Sequence, residues 1–587
     1  MYDKRRLEKG DWGMNKKRVL YEAREYRDIR ELVKDTVRRF PENIAFIVKE
    51  KQDGEVQYQN ITYQKLQEDI NKLGTAFMEL GLGGKRIAII ANNRYEWCLA
   101  YLATLCGVGI VVPLDKSLPF GEIEGLLQRS YANAVVFENK YSEIMEKIRK
   151  SGTTDLEHYI CMEEPKEEEF LSFDALLKKG EELLKNGDTR FENTTIDPES
   201  MNIILFTSGT TSASKAVMLS QKNIVSNVHA LNTIVKIYDN DRNLAFLPFH
   251  HTFGSTGLLF FISNGVSNVF CDGLKYIQKN LQEYHVTVFV TVPLLLEAMN
   301  KKILKEIEKQ GKTKLIQIAT KVSNVLLKLG IDIRRKVFKD IIDNLGGLRM
   351  AVVGAAAIDK TVVKNFSNYG IKTIQGYGLT ETSPVITAEN DKNIRHGSVG
   401  FPLKDVEIKI FEPNEKGIGE IIAKGPNVML GYFENEEATK EVLVDGWFHT
   451  GDLGYIDSDG FLFITGRKKN VIVMKNGKNI YPEELEVLIA KLPYVAENIV
   501  FGIPTKDNDL DLATKIVYNK EYVEETLNGL SKEELQEKIW QDIKQINKTM
   551  PPYKYIREII VTDEPMIKTT TQKVKRFEEI KKILEEK

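Results

Sequence analysis

Cysteine is scarce, with four residues in 587 and no two of them in a CxxC pair. That spacing offers neither a zinc site nor a disulfide framework, and it fits a reducing compartment, the cytoplasm by default. An excess of positive charge is also missing. Lys and Arg number 82 against 84 Asp and Glu, a net charge of −2, so no global field holds nucleic acid, and a membrane partner would need a local patch. Long apolar runs are absent too. The longest, residues 99–114 (LAYLATLCGVGIVVPL), is interrupted by Thr and two Gly and falls short of the roughly 20 residues that span a bilayer. It reads as a buried helix end, a Gly turn and a buried strand. The opening MYDKRRLEKGDWG is charged where an export signal needs an apolar core, so none is expected.

What is present is ordinary globular material: 42% hydrophobic and 28% charged residues, enough to bury a sizeable core. From about residue 28 to 470, helical patterns alternate with short β-branched runs at 86–91, 109–115, 133–137, 202–208, 287–293, 349–356 and 372–378. Such runs between amphipathic helices predict an α/β fold of helix-covered parallel sheets. After about 395 the texture turns to Gly-punctuated strands (EIKIF, GEIIAKG, VMLGYF, GFLFITG), a small β subdomain over about 395–466. Residues 1–466 then form the N-terminal domain and 467–587 an α+β C-terminal domain, with a helix over about 531–548. The charge-rich 162–194 stretch reads as a solvated connector.

The sharpest local signal is an apolar strand running into Thr207-Ser208-Gly209-Thr210-Thr211-Ser212-Ala213-Ser214-Lys215. Hydroxyls, backbone N–H groups and one cation suit a phosphate chain. The P-loop pattern GxxxxGK[ST] is not matched, because Ser214 and Ala216 stand where its second Gly and its hydroxyl belong, and no GxGxxG follows a strand. Seven further segments follow in order: LPFHHTFG at 247–254, VVGAAAI at 352–358, QGYGLTET at 375–382, WFHTGDLG at 447–454, GRKKNVIV at 466–473, KNGKNIYPEELE at 475–486 and IKTTTQKVKR at 567–576. Together with the loop they resemble the adenylate-forming superfamily of acyl-CoA synthetases, luciferases and adenylation domains. The tail and the GRKKNVIVMKNGKNIYPEELE run look closest to its long-chain fatty acid–CoA ligase branch.

The resemblance implies ATP-dependent activation of a fatty acid through an acyl-adenylate, with transfer to coenzyme A and release of AMP and pyrophosphate. The alternatives are an acyl-carrier-protein ligase or another adenylation enzyme, and a non-catalytic sensor of the same fold. It implies that Thr207, Ser208, Gly209, Thr210, Thr211 and Lys215 hold the phosphates. Ala355, Ala356, Gly376 and Tyr377 take the adenine, Thr380 and Glu381 serve Mg²⁺, and Asp452 and Arg467 hold the ribose. His250 lines the carboxylate end of the acyl pocket, Lys573 is the catalytic cation, Lys469 the hinge that makes the 467–587 domain a mobile lid, and Gly477 belongs to the thiol channel. Peripheral membrane contact and a homodimer are left open, and no nucleic acid partner is expected. Ser212, Ser214 and Ala216 depart from the family's Gly, Pro and Gly, Gln221 from a common His and Gln572 from a common Gly. The loop changes remove backbone freedom and rigidity from an element that must wrap pyrophosphate.

Overall fold

The computed structural model describes residues 18–52, 54–207, 214–356, 358–474, 478–505, 510–527, 529–568 and 574–586. The chain divides into two compact units. The first runs to Thr207 and takes Lys215–Ile408 and Ala423–Phe448, while the second takes Lys409–Ile422 and the chain from His449 onward.

The first unit is built on two large sheets. In one, the strands Met201–Thr207, Ile110–Pro113, Arg86–Ile90, Ala134–Phe137, His158–Cys161 and Leu171–Ser172 lie side by side in that order and run parallel. Two antiparallel strands, Lys215–Ser220 and Gly431–Tyr432, complete its near edge. In the other, Ser267–Phe270, Arg242–Ala245, Val288–Thr291, Met350–Val353 and Lys372–Gly378 run parallel, with Val385–Ala388 and Phe401–Pro402 antiparallel at one edge. The expected α/β class therefore holds. All seven β-branched runs are strands, because runs apolar on both faces need cover on both sides, which helices supply.

The 99–114 stretch resolves as anticipated. Helix Tyr95–Ala103 continues as a π-helical turn Thr104–Val108, Gly107 takes φ 140°, and strand Ile110–Pro113 follows. Trp97 stacks on Tyr101 at 5.0 Å in the core beneath.

Two expectations are corrected. The 162–194 stretch is no solvated connector, since helix Phe173–Lys185 buries Phe173, Leu176 and Gly180. It lies so close to helix Tyr63–Glu79 that a Cβ at Gly180 would stand 1.9 Å from the Lys72 carbonyl oxygen. Its charges occupy the outer face, and a few apolar residues at helical spacing were enough to dock it. The run VMLGYF, assigned to the small β region, instead places Gly431–Tyr432 on the edge of the large sheet, opposite Met218 and Val217.

In the second unit, Asp452 pairs with Arg467 across strands Trp447–Ile456 and Leu462–Arg467. Beyond them, strands Val495–Pro504, Leu510–Tyr518 and Ile556–Thr562 form a three-stranded sheet. Helices Pro482–Ile489 and Lys532–Asn547 pack on it through Leu485, Ile489, Leu535, Ile539 and Ile543. The second helix starts at a capping box between Ser531 and Glu534.

Candidate active site

Strands Met201–Thr207 and Lys215–Ser220 form a hairpin whose last pair is Thr207 and Lys215, and the Thr207 hydroxyl donates to the Lys215 carbonyl at 3.3 Å. The phosphate-loop residues Ser208, Gly209, Thr210 and Thr211 lie outside the described residues, as do Gly477 and Lys573. Their flanks are described. Lys215 places its ammonium 4.6 Å from the centroid of the Tyr432 ring. The hydroxyl of the same tyrosine donates to Glu381 Oε1 at 2.9 Å. One buried aromatic thus holds the expected phosphate cation on its face and the expected Mg²⁺ carboxylate on its hydroxyl. Burial, reinforced by the Glu381 charge, pushes the Tyr432 hydroxyl well up, so it remains a donor. Nothing in the sequence marked Tyr432. Only its pairing on the sheet edge reveals it.

Glu381 sits on the 3₁₀ turn Thr380–Thr382, which follows directly from strand Lys372–Gly378. Three asparagines clamp this turn. Asn427 Nδ2 donates to the Thr382 and Val385 carbonyls at 2.9 and 3.0 Å, and Asn227 Nδ2 to Val385 at 2.7 Å. Asn223 Nδ2 donates to the Pro426 and Val428 carbonyls at 2.7 and 2.9 Å, and the Met429 N–H to the Glu381 carbonyl at 2.8 Å. A side chain at Gly378 would drive its Cβ to 1.8 Å from the Pro384 carbonyl oxygen, so the glycine there is a packing requirement. Upstream, Gln375 is pinned by Glu389, whose Oε2 accepts from the Gln375 N–H at 3.0 Å and whose Oε1 accepts from the Arg395 N–H at 2.8 Å. Burial raises the Glu389 carboxyl to about 8 against the opposing pull of those N–H groups.

Tyr377, in the same strand, is buried, and Gly376 beside it is half-buried. Ala355 and Ala356 follow strand Met350–Val353 and are exposed. Ala355 takes φ +74°, a left-handed conformation that costs a non-glycine residue about 1–2 kcal/mol. Such strain collects where a backbone must present itself to a ligand.

His250 is buried just before helix Thr252–Ile262, with Nε2 3.4 Å from Asp115 Oδ1 and its ring centroid 4.4 Å from that of His251. Donor atoms of Asp115, His250 and His251 all lie within 4.8 Å of one another. Asp115 was not singled out as a site residue in the sequence. Its place, just past strand Ile110–Pro113, brings it to His250.

Glu381 belongs to no such cluster among the described residues. A lone carboxylate beside a threonine hydroxyl cannot cage a cation by itself. It fits Mg²⁺, which is held by one or two carboxylates and completed by water and substrate phosphates.

In the second unit, Arg467 Nε lies 2.9 Å from Asp452 Oδ1. Asp452 is buried while Arg467 is half-exposed, and the Asp452 N–H donates to Thr450 Oγ1 at 3.1 Å. Sequence reasoning missed the neighbouring Glu420. Burial would raise its carboxyl, but Lys468 at 2.9 Å, His449 Nδ1 at 3.3 Å and the Gly451 N–H outweigh that and hold it below the ordinary range. Lys469 is the middle residue of the 3₁₀ turn Lys468–Asn470, with its neighbours tied to Glu420 and Glu483. The Lys573 segment is bracketed by an antiparallel bridge between Lys568 and Val574, with Lys568 on Glu497 at 2.6 Å and Arg576 on the Val500 carbonyl at 2.7 Å.

Two departures from the family pattern prove structural. Ala216 is a buried strand residue opposite Phe206, where no special backbone freedom is needed. Gln221 is buried and accepts from the Ile29 N–H at 2.8 Å while donating to the Leu105 carbonyl at 2.7 Å.

Known proteins share this architecture. Mouse long-chain-fatty-acid–CoA ligase 6 is 30% identical over 480 residues, covering 76% of this chain and 68% of its own. Mouse long-chain-fatty-acid–CoA ligase 5 is 29% identical over 579 residues, covering 89% and 82%. A chloroplastic long-chain-fatty-acid–[acyl-carrier-protein] ligase of Arabidopsis thaliana is 25% identical over 604 residues, covering 90% and 82%. In fold, the chain is similar to an anthranilate CoA ligase in complex with anthranoyl-AMP, with TM-score 0.74, 20% identity and coverage of 95% and 97%. The AMP-binding enzyme model matches residues 33–433 and the AMP-binding enzyme C-terminal domain model residues 469–585, so the chain belongs to the AMP-binding enzyme family.

Proposed function

We propose that the chain is an ATP-dependent ligase that activates a long-chain fatty acid as its acyl-adenylate and passes the acyl group to coenzyme A. The observation that carries this is the Lys215–Tyr432–Glu381 chain, which sets a cation over the ring and a hard anionic ligand on the hydroxyl of one aromatic side chain. Family membership and the long-chain ligases among the relatives support the substrate class.

The substrate carboxylate attacks the α-phosphorus of ATP in line, and the bond to pyrophosphate breaks. Lys215 and the hydroxyl-rich loop bind the departing phosphates. Glu381 and Thr380 would hold Mg²⁺, which would supply charge neutralisation at the phosphates. Tyr377 stacks the adenine against the small Ala355–Ala356 corner with Gly376, and Asp452 and Arg467 take the ribose hydroxyls. His250, with Asp115 Oδ1 3.4 Å from its Nε2, faces the carboxylate end of the acyl pocket. Lys573 bridges carboxylate and α-phosphate as charge accumulates. A thiol then displaces AMP after the domain from 467 onward turns about Lys469, so that Gly477 lines the thiol channel. A cytoplasmic location belongs to the same reading, and among the described residues no helix is long and apolar enough to cross a membrane.

The test is carboxylate-dependent ATP–pyrophosphate exchange over a panel of acids from short to long, followed by thioester formation with coenzyme A or acyl carrier protein. Exchange is expected to rise with chain length and thioester to form on coenzyme A. No exchange with any acid would end the proposal, and product on carrier protein alone would replace the acceptor.

A further inference from the structure

Helix Thr313–Lys328 (TKLIQIATKVSNVLLK) buries only Ser323 fully. Its inner face is half-buried Ile316 and Ala319 against the sheet core, with Asn324 Nδ2 donating to Asn368 Oδ1 at 3.0 Å. A helix anchored on one face ordinarily turns polar residues outward. This one does not. Leu315, Ile318, Val322, Val325 and Leu329 are exposed by 63, 61, 51, 59 and 71%, at alternating spacings of three and four that align them in a single stripe. From Leu315 to Leu329 that stripe is about 21 Å long. Apolar patches of such extent on a soluble surface mark contact sites.

The charge around the stripe identifies what it meets. Lys314, Lys321 and Lys328 recur every seventh residue along one edge and pair with no carboxylate among the described residues, and the helix itself contains no Asp or Glu. Between Lys301 and Lys339 stand twelve Lys and Arg against three Asp and Glu, a local excess of nine positive charges in a chain whose net charge is −2. A second copy of this helix would bring the same lysines and no carboxylate to meet them. A bilayer carrying anionic lipid meets both features: the stripe enters the headgroup–acyl boundary while the lysines reach back to the phosphates.

We infer that this face docks the protein, helix in plane, on an anionic membrane surface. The inference deepens the proposed function, because a long-chain acid partitions into bilayers and an enzyme held there draws on that reservoir, but the docking itself rests only on this face.

The test is flotation of the full chain with phosphatidylglycerol–phosphatidylcholine vesicles and with phosphatidylcholine vesicles. Wild type should float with the anionic vesicles, far less with the neutral ones, and be released by salt. The triple variant Lys314→Gln, Lys321→Gln, Lys328→Gln should lower the anionic partition coefficient about 100-fold, each lysine counting for about 1 kcal/mol. Ile318→Glu with Val325→Glu should abolish binding. Both variants should keep the wild-type melting transition and pyrophosphate exchange with a water-soluble acid, since all five positions are exposed and outside the proposed machinery. Three results overturn the inference: wild type left unbound, binding unchanged in both variants, or a wild-type dimer that Ile318→Glu dissociates without any vesicle binding. Vesicle binding without exchange on any acid would instead leave the docking face standing and remove the fatty acid reading.

Discussion

Tyr432 is the residue on which the proposed chemistry is most exposed to test. Tyr432→Phe keeps the ring under Lys215 and removes only the hydroxyl that donates to Glu381. A hydrogen bond to a charged partner counts for about 1.5–3 kcal/mol, so pyrophosphate exchange should fall roughly 10- to 100-fold with little change in melting temperature. A drop confined to stability, with exchange intact, would make the contact structural. Glu389 gives a second expectation, read through pH. Its carboxyl titrates near 8 in the folded chain, well above the ordinary carboxylate value, so the native state binds the extra proton. Stability from this group is complete below the unfolded value and is lost as pH rises through about 8. Melting temperature should therefore decline between the mildly acidic and mildly alkaline range. Glu389→Gln, which mimics the neutral acid, should flatten that slope, and an unchanged pH profile in the variant would refute the assignment.

Among the elements, helix Arg576–Glu585 hangs on a buried ion pair, Lys515 Nζ to Glu579 Oε1 at 2.5 Å, with side chains 6 and 1% exposed. Lys515→Ala leaves a buried carboxylate without its cation and should cost about 3–5 kcal/mol in denaturant unfolding. The joint replacement Lys515→Met with Glu579→Met should recover most of it, since apolar side chains of similar length dispense with both desolvation penalties. At this scale the sequence was most informative for parallel strands. Arg86–Ile90, Val288–Thr291 and Lys372–Gly378 were legible because burial on both faces writes an unbroken apolar run. Helix Phe173–Lys185 was not, because its outer charges mask a docking face of a few residues and a glycine. Strand Gly431–Tyr432 was equally hidden: two residues carry no periodicity, and their partners lie more than two hundred positions upstream. The same logic divides the site. Glu381, Asp452 and Arg467 stood inside recognisable motifs, whereas Asp115, Glu420 and Tyr432 meet His250, Lys468 and Glu381 only in the folded chain.

For the whole molecule, the proposed turning of the C-terminal domain predicts that the two half-reactions separate. In that proposal Lys573 has work only while pyrophosphate leaves, and the thiol needs the carbonyl cleared. Lys573→Ala should stop acyl-adenylate formation yet leave thioester formation from supplied acyl-AMP nearly intact. Lys469→Pro, by fixing φ at the 3₁₀ turn Lys468–Asn470, should spare adenylation and impair transfer. Equal loss of both half-reactions in the Lys573 variant would contradict domain alternation.

The edge pairing of Gly431–Tyr432 with Lys215–Ser220 also reaches into the life of the nascent chain. A ribosome adding about 5–20 residues per second has already released the Lys215–Ser220 strand while the segment that caps it is still tens of seconds from emerging at the slower rates. Throughout that interval the strand has one unpaired side, the kind of edge that recruits foreign strands or a chaperone. Chains truncated before residue 431 should accordingly bind holdases and aggregate, and extension past 433 should release them.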